Sequence, residues 1–279
     1  MKQLFDSVSL DCSKRVTTAY STSFSLGIKA LDKRLHAPIY AIYGYVRFAD
    51  EIVDTFHDYN KKKLLEKFAK DTYLAIAEGI SLNPILNSFQ LVVNQYNINH
   101  ELIATFLKSM EMDLEQDEHN QLSFEEYILG SAEVVGLMCL TVFCEGNMQD
   151  YEKLKPYAMS LGAAFQKINF LRDLKDDYQD LGRSYFPNLD VMQLNENTKK
   201  DILADIENDF SKGLQGIIQL PTSARFGVYI AYVYYYALFK KIANTQIDLL
   251  LKQRIRISNK HKALLFCQSY IKYTLGFVS

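Results

Sequence analysis

Apolar residues return every three or four positions along most of the chain, and no alternating stretch rises above noise. This period predicts a short helix over 1–20, then a loop or helix start in the Ser/Thr run YSTSFSLGIKAL. A helix follows through Phe56, with Pro38 placed in its first turn, where a missing N–H costs nothing. NKKKLLEKFAKDTYLAIAEGI predicts an amphipathic helix ending near Gly79, and another opens after Asn83-Pro84. HELIATFLKSMEMDLEQDE predicts a helix with an acidic end, in which Asp113, Glu115, Asp117 and Glu118 read as a solvated charge run. SFEEYILGSAEVVGLMCLTVF is apolar, and Ser123 with Glu126 fits a capping box at its start. Its small residues Gly130, Ser131, Ala132 and Gly136 leave room for close helix packing or for the wall of an apolar cavity. A long helix over 150–179 has Pro156 near its start and is followed by the loop GRSYFPNLDVM. Two further helices lie in NENTKKDILADIENDFSKGL and PTSARFGVYIAYVYYYALFKKI, the latter capped by Pro221 and Thr222. Basic residues and a last amphipathic helix, QRIRISNKHKALLFCQSYIKYTL, close the pattern. The sum is an all-α chain of about ten or more helices around a central bundle.

Two of these helices interrupt their own apolar pattern. In QKINFLRDLKDDYQD, residues Gln166, Asn169, Asp173 and Asp177 fall on one narrow stripe at helical pitch. In YGYVRFADEIVDTF, Tyr43, Arg47, Asp50 and Asp54 do the same, at i, i+4, i+7 and i+11. The residues around the second stripe (Ile39, Ala41, Ile42, Val46, Phe48, Ile52, Val53) are apolar, so its polar face must meet a partner inside the protein. Like charges at i and i+4 oppose a helix by roughly 0.2–0.5 kcal/mol. A divalent cation relieves that repulsion, and Mg²⁺ is usually held by one or two carboxylates together with substrate phosphates. Two such stripes facing each other suit a polyanionic substrate such as a diphosphate. Arg47, Arg183 and either Arg254 or Arg256 are placed to add charge-assisted bonds to it. Ser21, Ser23 and Phe24 have two readings, an anion at a helix N-terminus or a plain N-cap. Loss of diphosphate would leave a carbocation, and aromatic faces stabilise cations by roughly 0.5–2 kcal/mol. That gives the 19 Tyr and 17 Phe a use beyond packing, although most tyrosines of YVYYYALF read as core.

Composition narrows the picture further. The 279 residues hold only 5 Pro and 12 Gly and no linker-like stretch, so 1–279 reads as a single domain. A net charge of −2 gives no field for nucleic acid. Cys12, Cys139, Cys144 and Cys267 form no CxxC pair and read mostly as reduced core thiols. His36, His57, His100, His119 and His261 lack metal-site spacing and read as surface residues. No run reaches the ~18 consecutive apolar residues of a membrane span. The start MKQLFDSVSLDCSKRV is too polar for a signal peptide, so the expected location is cytoplasmic.

Five ordered elements carry a resemblance. Asp50-Glu51-Ile52-Val53-Asp54 follows Tyr43 and Arg47, and Gln166, Asn169, Phe170, Arg172, Asp173 and Asp177 form a second acidic motif. Tyr127, Ser131, Ala132, Val135 and Gly136 form a third element, and Gly182, Arg183, Tyr185, Phe186 and Pro187 a fourth. Ser21, Ser23 and Phe24 are the fifth, and the RIRISNKHK segment extends the likeness to about residue 265. The chain resembles the squalene/phytoene synthase family of head-to-head prenyl transferases, most of all bacterial phytoene synthases. The resemblance implies an isoprenoid synthase fold, a single helical bundle around a central cavity. It implies that Asp50, Asp54, Asn169, Asp173 and Asp177 hold Mg²⁺, or Mn²⁺ in its place. Ser21, Phe24, Tyr43, Arg47, Val135, Gly136, Gln166, Asn169, Arg183 and Arg256 would contact prenyl diphosphates, with Tyr43, Arg47, Gln166 and the four aspartates acting in catalysis. The implied reaction joins two geranylgeranyl diphosphates through a cyclopropylcarbinyl diphosphate to phytoene, in carotenoid biosynthesis. The base that takes the last proton stays open between a tyrosine and the released diphosphate. Dehydrosqualene synthases share every motif quoted, squalene or dehydrosqualene synthesis from two farnesyl diphosphates is the alternative, and a metal-dependent prenyl diphosphate hydrolase is the alternative from another class. Cavity depth would set chain length, with Gly136, Gly162 and Ala163 as candidate positions. The expected protein is a monomer with transient peripheral contact with the inner membrane as its apolar product leaves.

Overall fold

The computed structural model describes residues 1–115, 120–180, 185–187 and 194–276, with the side chains of 176–180 outside the description. Among the described residues every regular element is helical. The order is α1 (Lys2–Tyr20), α2 (Thr22–Lys29), α3 (Lys33–Asp54), α4 (Lys61–Glu78), α5 (Pro84–Tyr96), α6 (His100–Glu115) and α7 (Gln121–Ile128). A π-helical segment, Leu129–Glu133, leads into α8 (Val134–Phe143). Then come α9 (Met148–Asp180), α10 (Glu196–Ile217), α11 (Thr222–Ala243), the single turn α12 (Ile247–Leu250) and α13 (Asn259–Thr274).

Several helix starts differ from the sequence expectation, each for a local reason. Helix α3 begins before Pro38 because the Asp32 carboxylate accepts from the Arg34 N–H at 3.1 Å, so Pro38 sits inside the helix. Asn120, not Ser123, caps α7: its side chain accepts from the Ser123 N–H at 2.9 Å, and Glu126 pairs with Lys108 instead of closing a capping box. Helix α9 is capped by Asn147, which accepts from the N–H groups of Gln149 and Asp150, and this leaves Pro156 well inside it. At α11 Pro221 is the N-cap and makes no side-chain bond. Cys267 is exposed, unlike the buried Cys144.

The apolar stripes meet in one continuous core. Tyr45 on α3 is fully buried and stacks on Phe89 of α5, with ring centroids 3.8 Å apart. On the other side of α3 the helices stand apart. Helices α2, α3, α8, α9, α10 and α11 and the π-helical segment surround a cavity of about 480 Å³. Residues Gln121–Phe143 have the length and hydropathy of a membrane span, but half of that stretch is buried inside the bundle. Its apolar character follows from packing on one side and lining the cavity on the other.

Candidate active site

The cavity has two chemically different ends. Helix α3 contributes Ile39 and Ile42 first, then Tyr43, Arg47, Asp50 and Asp54. Helix α9 contributes Leu154, Tyr157, Ala158 and Leu161 first, then Gln166, Asn169 and Asp173. At 1.5 Å per residue, Leu154 to Asp173 spans about 28 Å. Both stripes therefore line one space, polar at one end and apolar at the other. Asp177 belongs to α9, but its side chain lies outside the described residues, and so does Arg183.

On α3, burial first and the neighbouring Asp54 second push the Asp50 carboxyl up to about 7, with Arg47 pulling the other way. About a third of the Asp50 side chain stays accessible, and the residue lines the cavity. The Arg47 guanidinium is 3.9 Å from Asp50, pairs with Glu51, and lies over the Tyr20 ring at 4.4 Å. Its buried Nε has no hydrogen-bond partner among the described residues, which leaves a donor for a ligand oxygen. On α9, Asp173 accepts from Arg172 Nε at 2.9 Å and from Arg254 Nε at 2.7 Å. Asn169 donates to Gln166 Oε1 at 3.3 Å and accepts from the Tyr235 hydroxyl at 3.4 Å. Asp50 and Asp54, hard oxygen donors one turn apart on the cavity wall, suit a divalent cation. Asp173 offers the same chemistry only where its arginines yield.

Between the two ends lies an aromatic cluster. Phe24 packs on Tyr43 at 5.5 Å and on Tyr235 at 5.8 Å, and Phe165 stacks on Tyr235 at 4.1 Å. All four residues line the cavity. Burial pushes the Tyr43 hydroxyl up to about 12, so it stays protonated near neutral pH. Ser21 lines the cavity and also caps α2, accepting from the Phe24 N–H at 3.2 Å. Val135 and Gly136 form part of the wall. Gly162 does so too, but a Cβ there would sit 2.8 Å from the Ala132 carbonyl oxygen. That glycine keeps α9 close to the π-helical segment, so it governs packing more than depth. Ala163 is buried and off the lining; Leu31, Phe143, Leu154 and Leu220 contribute to the apolar wall instead.

Arg256 is exposed and off the cavity, its carbonyl held by Lys241, whereas Arg254 lines the site. Asp113 contradicts the solvated reading. It is buried, lines the cavity, and accepts from the Tyr127 hydroxyl at 2.8 Å and the Tyr185 hydroxyl at 3.2 Å. The signal for it lies in the α6 register, since Phe106, Met110 and Asp113 stand at i, i+4 and i+7 on a face that otherwise packs. Glu115 does face solvent and pairs with Lys62 at 3.0 Å, while Asp117 and Glu118 lie outside the described residues.

An all-helical bundle with a cavity of this kind defines the isoprenoid synthase fold. A dehydrosqualene synthase structure superimposes with a TM-score of 0.80 at 18% identity, covering 97% of this chain and 98% of that one. The squalene synthase HpnC of Alicyclobacillus acidocaldarius gives 0.73 at 17% identity, covering 84% and 92%. The family model for squalene/phytoene synthase matches residues 17–261, and the chain belongs to that family. Relatives include the 4,4'-diapophytoene synthase of Staphylococcus haemolyticus, 26% identical over 68% of this chain and 66% of that protein. The presqualene diphosphate synthase of Sinorhizobium fredii is 27% identical over 68% and 67%. The phytoene synthase of Arthrospira platensis is 27% identical over 70% and 66%. The chain thus matches about two thirds of the length of these curated relatives.

Proposed function

We propose that the chain is a head-to-head prenyl transferase that joins two geranylgeranyl diphosphates to phytoene. The observation that carries this reading is the two-ended cavity, with carboxylates and arginines at one end, an aromatic cluster, and apolar walls beyond. Asp50, Asp54, Asn169, Asp173 and Asp177 are the residues to hold Mg²⁺. The bound metal would supply Lewis-acid neutralisation of the diphosphate leaving group. Arg47, Arg172 and Arg254 grip diphosphate oxygens, and the apolar walls hold both prenyl tails out of water. Loss of diphosphate from one substrate leaves an allylic cation beside Tyr43, Phe24, Phe165 and Tyr235. Their ring faces stabilise it, and the raised pKa of Tyr43 keeps a phenolate from forming beside it. The double bond of the second substrate attacks the cation and a proton leaves, giving the cyclopropylcarbinyl diphosphate. A second loss of diphosphate, rearrangement and loss of one more proton complete the product.

A farnesyl-using synthase is the second reading, favoured by the similarity to a protein named 4,4'-diapophytoene synthase. Product analysis by chromatography and mass spectrometry decides between them. Purified protein with Mg²⁺ receives geranylgeranyl or farnesyl diphosphate, each with and without NADPH. A C40 hydrocarbon independent of NADPH is expected. A C30 product from farnesyl diphosphate alone would move the chain to the second reading, and prenyl alcohol alone would make it a hydrolase.

A further inference from the structure

Helix α13 has two apolar faces, and among the described residues only one of them packs on the bundle. Leu265, Phe266, Ser269 and Tyr273 recur at i, i+1, i+4 and i+8 and face the bundle, where Phe226 of α11 meets Phe266 at 5.9 Å and Tyr273 at 4.9 Å. On the opposite side, Leu264, Ile271 and Leu275 fall within one narrow arc at helical pitch, with Cys267 and Lys260 at its edge. Leu264, Ile271 and Leu275 are each more than half exposed, and so is Tyr270 on the flank. Lys260 and Lys272 are exposed beside them.

Charge is distributed to match. Of the 31 Lys and Arg and 33 Asp and Glu in the chain, residues 252–279 hold six of the basic and none of the acidic, which leaves −8 on the rest. The start of α13 also lies close to the polar end of the cavity. Lys262 donates to the Thr22 hydroxyl at 2.8 Å, next to the cavity-lining Ser21. We propose that the outer face of α13 is a seat for an anionic lipid surface, Leu264, Ile271 and Leu275 entering the interface and Lys260 and Lys272 meeting headgroup phosphates. An exposed apolar row flanked by lysines with no acidic residue is the composition of an interfacial helix. A second copy of the chain fits less well. A two-fold dimer sets a surface against itself, so it would oppose basic face to basic face. One row on one helix also falls short of the ~800 Å² per partner that a stable interface buries. The proposal rests on exposure and charge, so it stands or falls apart from the reading of the reaction.

Flotation of the full chain with two vesicle types tests it, one of phosphatidylcholine alone and one of phosphatidylcholine and phosphatidylglycerol in equal amounts. We expect flotation with the anionic vesicles only, weakening as salt rises. Each lysine near an anionic surface is worth about 1 kcal/mol, or roughly fivefold. Lys260→Glu with Lys272→Glu should therefore lower the bound fraction by at least about 25-fold. Leu264→Ser with Ile271→Ser should abolish flotation while circular dichroism and Tm stay at wild type, since both side chains already face solvent. No flotation with either vesicle, equal flotation with both, or unchanged binding by both double variants would overturn the proposal. So would a wild-type dimer in sedimentation that becomes monomeric in Leu264→Ser/Ile271→Ser.

Discussion

The acidic stripes of α3 and α9 share one sequence pattern, carboxylates one helical turn apart in an apolar setting, yet their surroundings differ. Asp50 is pushed up to about 7, and Arg47, 3.9 Å away, also pairs with Glu51. Asp173 is held by two guanidiniums, Arg172 and Arg254, both within 3 Å. A carboxyl raised by burial and by a neighbouring carboxylate gains from a cation that stabilises its charged form. A carboxylate already compensated must exchange partners first. On the α3 stripe a cation would therefore act on Asp50 directly, whereas on the α9 stripe it would first have to displace Arg172 or Arg254 from Asp173.

The widest separation between the stripes should come from removing a carboxylate. Asp50→Asn should lower turnover by at least about 10³-fold, since the charge stabilisation a bound metal supplies amounts to several kcal/mol. Its Tm should equal or slightly exceed wild type, because a repulsion of roughly 0.2–0.5 kcal/mol is removed. A folded variant with wild-type turnover would sink the assignment. Excess EDTA should likewise stop product formation, and Mg²⁺ should restore it; full activity in chelator would contradict the metal site. On the α9 side the expected loss is smaller. Arg254→Gln should lower kcat/KM by about 10- to 100-fold, the worth of one hydrogen bond to a charged group. Arg256→Gln, exposed and off the cavity, should stay within about twofold; equal losses in both variants would place the wrong arginine at the site. The smallest effect is on stability against pH in metal-free protein. The folded pKa of Asp50 lies above its unfolded value of 3.8. Its contribution is therefore fully present below about pH 4 and fades as pH rises through about 7. Asp50→Asn should flatten the fall in Tm between pH 5 and 8, and Mg²⁺ should do the same for the wild type. A wild-type slope unchanged by either would contradict the burial argument.

The helices and both stripes were legible because each rests on a local period. What the period cannot carry is choice among neighbours. Asn120 outcompeted Ser123 as a cap because it also stands one turn ahead of an apolar run, with an equally good side chain. Arg254 and Arg256 lie in a segment without helical pitch, so nothing in the sequence says which one turns inward. Asp113 was hidden by company, since it sits beside Glu115 in an acidic run although its register is that of Phe106 and Met110. The second cluster is legible through Asp173 and Asp177, and Arg172 is the sequence neighbour of Asp173, but Arg254 reaches Asp173 from a loop some eighty residues away, a pairing that only the tertiary fold creates.

The last turn of α3 holds Asp54 and no basic residue, with Asp50 and Glu51 just before it. Peptide dipoles give a helix C-terminus a partial negative charge of its own, and an acid there costs about 0.3–1 kcal/mol. The end of α3 that opens on the cavity thus adds its backbone field to that of its side chains, and both favour a cation. The Lys61 ammonium, which donates to the Val53 carbonyl at 2.8 Å, already takes up part of that field, and a cation at the carboxylates would add to it. Hydrogen exchange at the amides of Ile52 to Asp54 then becomes a direct gauge of occupancy, fast in chelator and slowed once a divalent cation and a diphosphate are in place.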